Sequence, residues 1–165
     1  DVLTHCFRPF PNAPVHGDGT VRQSVFDARA RGVFFDVGHG MGSFSWKTAR
    51  AMANAGFWPD KISSDVHAMC IEGPAWDLLR TMTKFLYLGM PLEQVISLAT
   101  NNAATAIGRP DLGTFAIGAT GDASVLSLDA TEIQLEDALG NVEIYDQQLF
   151  ARGLVIDGAW QQALK

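Results

Sequence analysis

Four side chains able to bind a metal or move a proton close three short apolar runs. His5 follows "DVLT", His39 follows "VFFDVG", and Asp65 and His67 follow "KISS". Imidazole and carboxylate are the usual ligands of a catalytic zinc, which keeps one coordination position for water and brings that water's pKa to about 7. A carboxylate beside the metal can take the water's proton and hand it to a leaving group. In such chemistry His5 suits a ligand, and Asp65 suits ligand and base together. Each residue also has an ordinary reading. A histidine after a strand can be a satisfied polar residue, and Asp65 can be a helix cap. The run Gly38-His39-Gly40-Met41-Gly42 can be a tight turn or a backbone brought close to a substrate. His16, in a polar loop, reads as surface, and Asp36 inside an apolar run reads as a structural hydrogen-bonding group. Three such endings on three successive runs are what join them into one candidate site.

The endings share an address only if the runs are parallel strands, because in parallel α/β folds the loops leaving the carboxyl ends converge on one rim. Residues 33–37 are continuously apolar apart from Asp36, the pattern of a strand buried on both faces. Residues 2–4 read as the end of another strand, and residues 61–65 as a shorter, more polar third. Between them Val21, Val25, Phe26 and Ala28 have helical spacing up to Gly32. A second helix is expected after a Ser43 cap, burying Phe44, Ala51 and Met52 and closing at Gly56. A third is expected from Pro74 to Gly89 through Leu79, Met82 and Leu86, and a fourth from Pro91 toward Ile107. This alternation predicts βαβ units and an α/β fold. After Gly108-Arg109-Pro110 the pattern changes to short β-like runs at 123–128, 133–135, 142–145 and 154–156, so the subdomain boundary is expected between 112 and 113.

Composition narrows the partners. With 47% hydrophobic and 18% charged residues the chain is globular, and its net charge of −6 disfavours nucleic acid. A small-molecule substrate fits better. No apolar run approaches the ~18 residues that span a bilayer, so neither a membrane nor a leader is expected and the location reads as cytoplasmic. Cys6 and Cys70 lack a CxxC spacing and read as reduced thiols, Cys6 as a packed one. Trp46, Met41, Trp76 and Phe7 could shape an apolar pocket near the rim, although Trp76 and Phe7 read equally well as core.

The segments "DVLTHCF", "RGVFFDVGHGMGSFSW", "ISSDVH" and "TMTKFLYLGMPLEQVISLATNNAATAIGRPDLGTFAIGATGDASVL" resemble the amidohydrolase superfamily of metal-dependent hydrolases, in particular its dihydroorotase-like deacetylase branch. The similarity runs through the β-rich tail. Asn102-Ala103-Ala104 matches the family's N-x-A, while Gly121-Asp122 stands where Ala-Asp is common and Thr120 where Pro is common. The resemblance implies a (β/α)8 barrel whose last three strands occupy residues 1–112, followed by a small β-sandwich at 113–165. Family metals are held by a His-x-His pair on the first strand, a carboxylated lysine on the fourth, histidines on the fifth and sixth, and an aspartate on the eighth. On that pattern His5 is the sixth-strand ligand and Asp65 the eighth-strand ligand and catalytic base, while His39, Gly38, Gly40 and His67 face the substrate. The implied cofactor is a divalent metal, zinc by preference and binuclear in a full-length enzyme, with manganese and iron sharing the ligand types.

The implied reaction is hydrolysis of an amide or ester, with deacylation of a small N-acyl amino acid or acyl hydroxy acid preferred. A cyclic-amide hydrolase and a noncatalytic metabolite- or protein-binding domain are the alternatives. The ligands of the first five strands are missing from the sequence, so the isolated chain is expected to be inactive. Three strands cut from a closed barrel have unpaired edges, so self-association or pairing with an amino-terminal half is also expected.

Overall fold

The computed structural model describes residues 1–162. Strands β1 (Val2–Leu3) and β2 (Phe34–Phe35) pair in parallel, Val2 opposite Phe34 and Leu3 opposite Phe35. The third expected strand joins them through a parallel bridge between Asp36 and Lys61. The ladder continues from the N–H of Val37 to Lys61 O at 3.3 Å, His39 to Ser63 O at 3.4 Å and Gly40 to Ser64 O at 2.8 Å. Regular strand is shorter than the apolar runs because the backbone turns left-handed where each run ends, with φ of 63° at His5, 47° at Gly38 and 48° at Asp65. Alternation along β2 sends Phe35 and Val37 into the core, whereas Phe34 on the other face is 42% exposed and its neighbour Val2 is 49% exposed.

Helices follow the strands: α1 (Gln23–Ala30), α2 (Trp46–Asn54), α3 (Leu78–Tyr87), α4 (Leu92–Ala99) and α5 (Asn101–Ala106). Ser43 is not the cap of α2. The helix begins after Ser45, whose side chain makes no cap bond, and the N–H of Trp46 instead donates to Asp137 Oδ2 at 3.0 Å. The helix expected from Pro74 starts later, because Asp77 caps it by accepting from Arg80 N–H at 2.6 Å. The helix expected from Pro91 is two, broken at Thr100 where φ and ψ are −122° and −99°.

Beyond α5 the chain builds one antiparallel sheet in the order β3 (Ala123–Glu136), β4 (Val142–Ile156), β5 (Ala159–Gln162). Two long strands replace four short ones. Register shifts at Val125/Leu126 and Ala130/Ile133 interrupt the alternation of β3 and divide it into what reads as separate runs. The expected β-sandwich is a single sheet among the described residues, and its last positions, 163–165, lie outside them. Among the described residues it is α3 that packs against this sheet. Ile133, Leu135 and Leu149 share a buried cluster with Phe7, Phe44 and Phe85, Leu149 N–H donates to Thr83 Oγ1 at 3.4 Å, and Trp46 Nε1 donates to Leu135 O at 3.1 Å. One core therefore runs through the helices and the sheet.

Candidate functional site

A single carboxylate oxygen gathers the three strand ends. Asp36 Oδ2 accepts from Thr4 Oγ1 at 2.7 Å and from Ser63 Oγ at 2.8 Å, while Ser63 Oγ accepts the N–H of Gly38 at 3.1 Å. Asp36 is thus the structural group its sequence context suggested, and its other oxygen, Oδ1, is buried without a partner.

One residue past Thr4 the His5 ring turns to Gly38, with Nδ1 2.7 Å from the carbonyl oxygen. A carbonyl can only accept, so Nδ1 carries a proton, and in the neutral ring Nε2 is the nitrogen with the lone pair. Histidine metal ligands are oriented in this way by a backbone carbonyl on the opposite nitrogen. The 38–42 turn then carries the chain from one candidate ligand to the other. A Cβ on Gly38 would lie 2.3 Å from Thr4 Oγ1 and 2.8 Å from His5 Nδ1, and a Cβ on Gly40 would lie 2.6 Å from Asp65 Oδ2. Both positions need glycine for space as well as for their positive φ.

Asp65 is exposed, and its carbonyl accepts from Cys70 Sγ at 3.7 Å. His67 is exposed too, in a tight segment where its N–H lies 3.3 Å from Cys70 Sγ and its Nδ1 accepts from Met69 N–H at 3.4 Å. The structure therefore sets Gly38 against His5 and Gly40 against Asp65, with His67 two residues along the same loop as Asp65.

His39 differs from its expectation. Its ring has no exposed surface and stacks on Phe44 at 4.9 Å between centroids. Nδ1 lies 2.9 Å from Gly40 O, and Nε2 lies 2.6 Å from Lys84 Nζ. The side chain is sealed behind the turn, and the flanking Gly38 and Gly40 are buried with it. Burial, reinforced by the Lys84 charge, lowers its pKa to about 3 and keeps the ring neutral.

Lys84 is the residue that sequence reasoning missed. It is fully buried on α3, with burial first and Arg80 second lowering its pKa to about 7. Its only sequence signal is a lysine set among the apolar positions of an amphipathic helix, where a solvated charge is the commoner reading. Phe7 and Trp46 are core at 1% exposure, whereas Met41 and Trp76 remain exposed. Cys6 packs as expected, its thiol pKa raised by burial.

His5 Nε2 and the Asp65 carboxylate have the donor chemistry of a divalent-metal site and fit part of one. Among the described residues no group of three or more His, Cys, Asp or Glu side chains could hold a metal ion. No helix of the described residues is long and apolar enough to cross a membrane.

The profile of the Amidohydrolase family matches residues 45–158. A protein named deacetylase from Brucella anthropi is 32% identical over 156 residues, which are 94% of this chain and 39% of that one. A deacetylase from Agrobacterium fabrum is 33% identical over 142 residues, 86% of this chain and 35% of that one. Among solved structures, an adenine deaminase superposes with a TM-score of 0.94 at 29% identity, covering 99% of this chain and 45% of the other. A dihydroorotase superposes with a TM-score of 0.85 at 32% identity, covering 99% and 44%. The chain spans about two fifths of the length of the curated relatives it matches.

Proposed function

This chain belongs to the amidohydrolase family, and from that premise we infer that it is the carboxyl-terminal portion of a metal-dependent hydrolase acting on carbon–nitrogen bonds. On this reading β1, β2 and the 61–65 segment are the last three strands of a (β/α)8 barrel, and the antiparallel sheet is the subdomain appended at 113–165. The observation that carries it is the His5 ring, whose Nδ1 is committed to Gly38 O so that Nε2 is free to ligate.

His5 Nε2 and the Asp65 carboxylate would hold part of the coordination of a divalent metal, with zinc the preferred ion. A bound divalent cation supplies Lewis acidity, lowering the pKa of water to about 7 and polarising the acyl oxygen. Asp65 takes the proton of the attacking water on a carboxylate oxygen and delivers it to the departing nitrogen. The exposed His67 faces the substrate, while the buried Gly38 and Gly40 hold the turn close against His5 and Asp65. Relatives named deacetylase favour removal of an acyl group over opening of a cyclic amide, and a small N-acyl amino acid or acyl hydroxy acid is the proposed substrate. The two unpaired cysteines are in keeping with a cytoplasmic enzyme.

Two donors make an incomplete site, so the chain alone is inactive and the remaining ligands come from an amino-terminal half. That half also pairs with the open edge of β1 and covers Val2, Leu3 and Phe34. The specific alternative is a noncatalytic metabolite- or protein-binding role, favoured by the two-donor set. Supplying the first five strands of a related deacetylase in trans and following release of acetate from N-acetyl amino acids separates the two. Zinc-dependent turnover that Asp65→Asn abolishes is the expected result. A stable pair that stays inactive with zinc, or turnover indifferent to Asp65→Asn, overturns the hydrolase reading.

A further inference from the structure

We propose that Lys84 is a positioning residue for the candidate metal site, acting through His39 and the Gly38 carbonyl on the tautomer and aim of the His5 imidazole. The proposal rests on the reading of His5 as a site residue, and it deepens that reading by naming what holds the ring.

The geometry is a relay of fixed groups. Lys84 Nζ lies 2.6 Å from His39 Nε2, 2.9 Å from Pro74 O and 2.5 Å from Glu136 O. An ammonium has three donors and no acceptor, so these partners satisfy it completely. His39 Nε2 must then accept, which puts the His39 proton on Nδ1, facing Gly40 O at 2.9 Å. The ring is clamped between that carbonyl, the ammonium and the face of Phe44, over which Lys84 Nζ also sits at 5.3 Å. Gly38 O and His39 N–H belong to one peptide plane. Its N–H end is on Ser63 O at 3.4 Å and its oxygen is on His5 Nδ1 at 2.7 Å. The bond to Ser63 O holds one end of this plane, and the clamp on the His39 ring is the side-chain constraint that acts with it on where the Gly38 oxygen points.

No carboxylate forms an ion pair with Lys84 among the described residues. Glu136 contributes only its main-chain oxygen, and the Asp137 carboxylate is occupied by Trp46, Leu139 and Asn141. Arg80 disfavours the ammonium, while Asp137 and Glu136 favour it from a distance. Burying a full charge at a junction of carbonyls and an imidazole is an expensive way to fill space, where methionine would pack at lower cost. What it provides is one fixed geometry linking α3, the 73–77 loop, the end of β3 and the 38–42 turn.

The test is histidine-selective 15N NMR on the chain paired with the amino-terminal half of a related deacetylase, wild type against Lys84→Met, without and with zinc. In the wild type His5 and His39 are expected as Nδ1–H tautomers, and zinc should shift His5 Nε2. In a folded Lys84→Met the His5 signal becomes a mixture of tautomers, and zinc binds at least tenfold more weakly, in the range of about 10–100-fold seen when supporting groups of metal ligands are removed. A folded variant whose His5 tautomer and zinc affinity match the wild type overturns the proposal and leaves the metal-site reading intact. If zinc does not shift His5 in the wild type while its tautomer still follows Lys84, the metal-site reading fails and the coupling stands. Should Lys84→Met not fold, the wild-type Gly38 carbonyl carbon is followed against pH beside the Lys84 Nζ signal. It is expected to step at the Lys84 midpoint, and a Gly38 carbonyl indifferent to that midpoint overturns the proposal.

Discussion

Trp46 and Asp137 stand 91 positions apart and meet at 3.0 Å, the backbone N–H of the first donating to Oδ2 of the second. The same carboxylate accepts the N–H groups of Leu139 and Asn141 at 2.9 Å each through Oδ1. One acid therefore closes the turn between β3 and β4 and caps α2, the helix that follows the 38–42 turn. Loss of a helix cap costs about 0.5–2 kcal/mol, and unpaired buried donors add about 1–3 kcal/mol. Asp137→Ala is accordingly expected to lower the stability by about 3 kcal/mol in urea unfolding. Asp137→Asn keeps one acceptor oxygen and should lose about half as much.

The buried Lys84 and His39 make stability rise with pH in two windows. His39 falls from 6.5 to about 3 on folding, so between those values the unfolded chain holds a proton that the folded one has released. Lys84 falls from 10.5 to about 7, so the same imbalance holds between about pH 7 and 10.5. Wherever the unfolded state binds more protons, stability increases with pH. At about 1.4 kcal/mol per pKa unit each window is worth several kcal/mol. The urea midpoint of the wild type should climb across both windows, and Lys84→Met should flatten the upper one. A wild-type midpoint constant from pH 7 to 10 would contradict the burial of this ammonium.

Gly40→Ala places a methyl 2.6 Å from Asp65 Oδ2 at a backbone φ of 49°. The left-handed strain costs about 1–3 kcal/mol, and the clash displaces the carboxylate. In a completed enzyme kcat is expected to fall more than stability does. Equal activity per folded molecule would mean that Asp65 does not take part in turnover.

Thr4 and Ser63 share Asp36 Oδ2, whose neighbour Oδ1 already lacks a partner. Thr4→Val and Ser63→Ala should each cost about 1 kcal/mol, the usual net value of one hydrogen bond. Together they strip a buried carboxylate of its remaining side-chain donors, so the double variant should lose more than the sum. Simple additivity in a double-mutant cycle would show that the two bonds are independent.

The exposed Val2, Leu3 and Phe34 beside the open edge of β1 give the last expectation. Sedimentation over a range of concentrations should show self-association, suppressed when the amino-terminal half of a relative is added. A chain that stays monomeric with that half absent, and does not bind it when present, would show that this edge is not a pairing surface.

The helices were legible because their apolar residues recur at helical spacing, as Leu79, Met82 and Leu86 do in α3. The strand ends were legible because the apolar runs stop at His5, Gly38 and Asp65, where the backbone turns left-handed. How few residues would form regular ladder was hidden, since hydrophobicity reports burial and not φ. The single sheet was misread for a related reason. The shifts at Val125/Leu126 and Ala130/Ile133 make one bulged strand resemble two. Lys84, the capping of α2 by Asp137 and the burial of Trp46 depend on partners from 45 to 91 residues away, and no local pattern encodes such distances.

His5 and Asp65 are two of the few residues other than glycine with positive φ, at 63° and 48°. Among side chains that bear a Cβ, histidine, aspartate and asparagine are the types enriched in that conformation, and β-branched or bulky ones are outliers there. The main chain thus screens its own chemistry at both positions. A saturation library at 5 and 65, sorted for folding alone and with no selection for activity, would return a short alphabet already rich in ligand-capable residues.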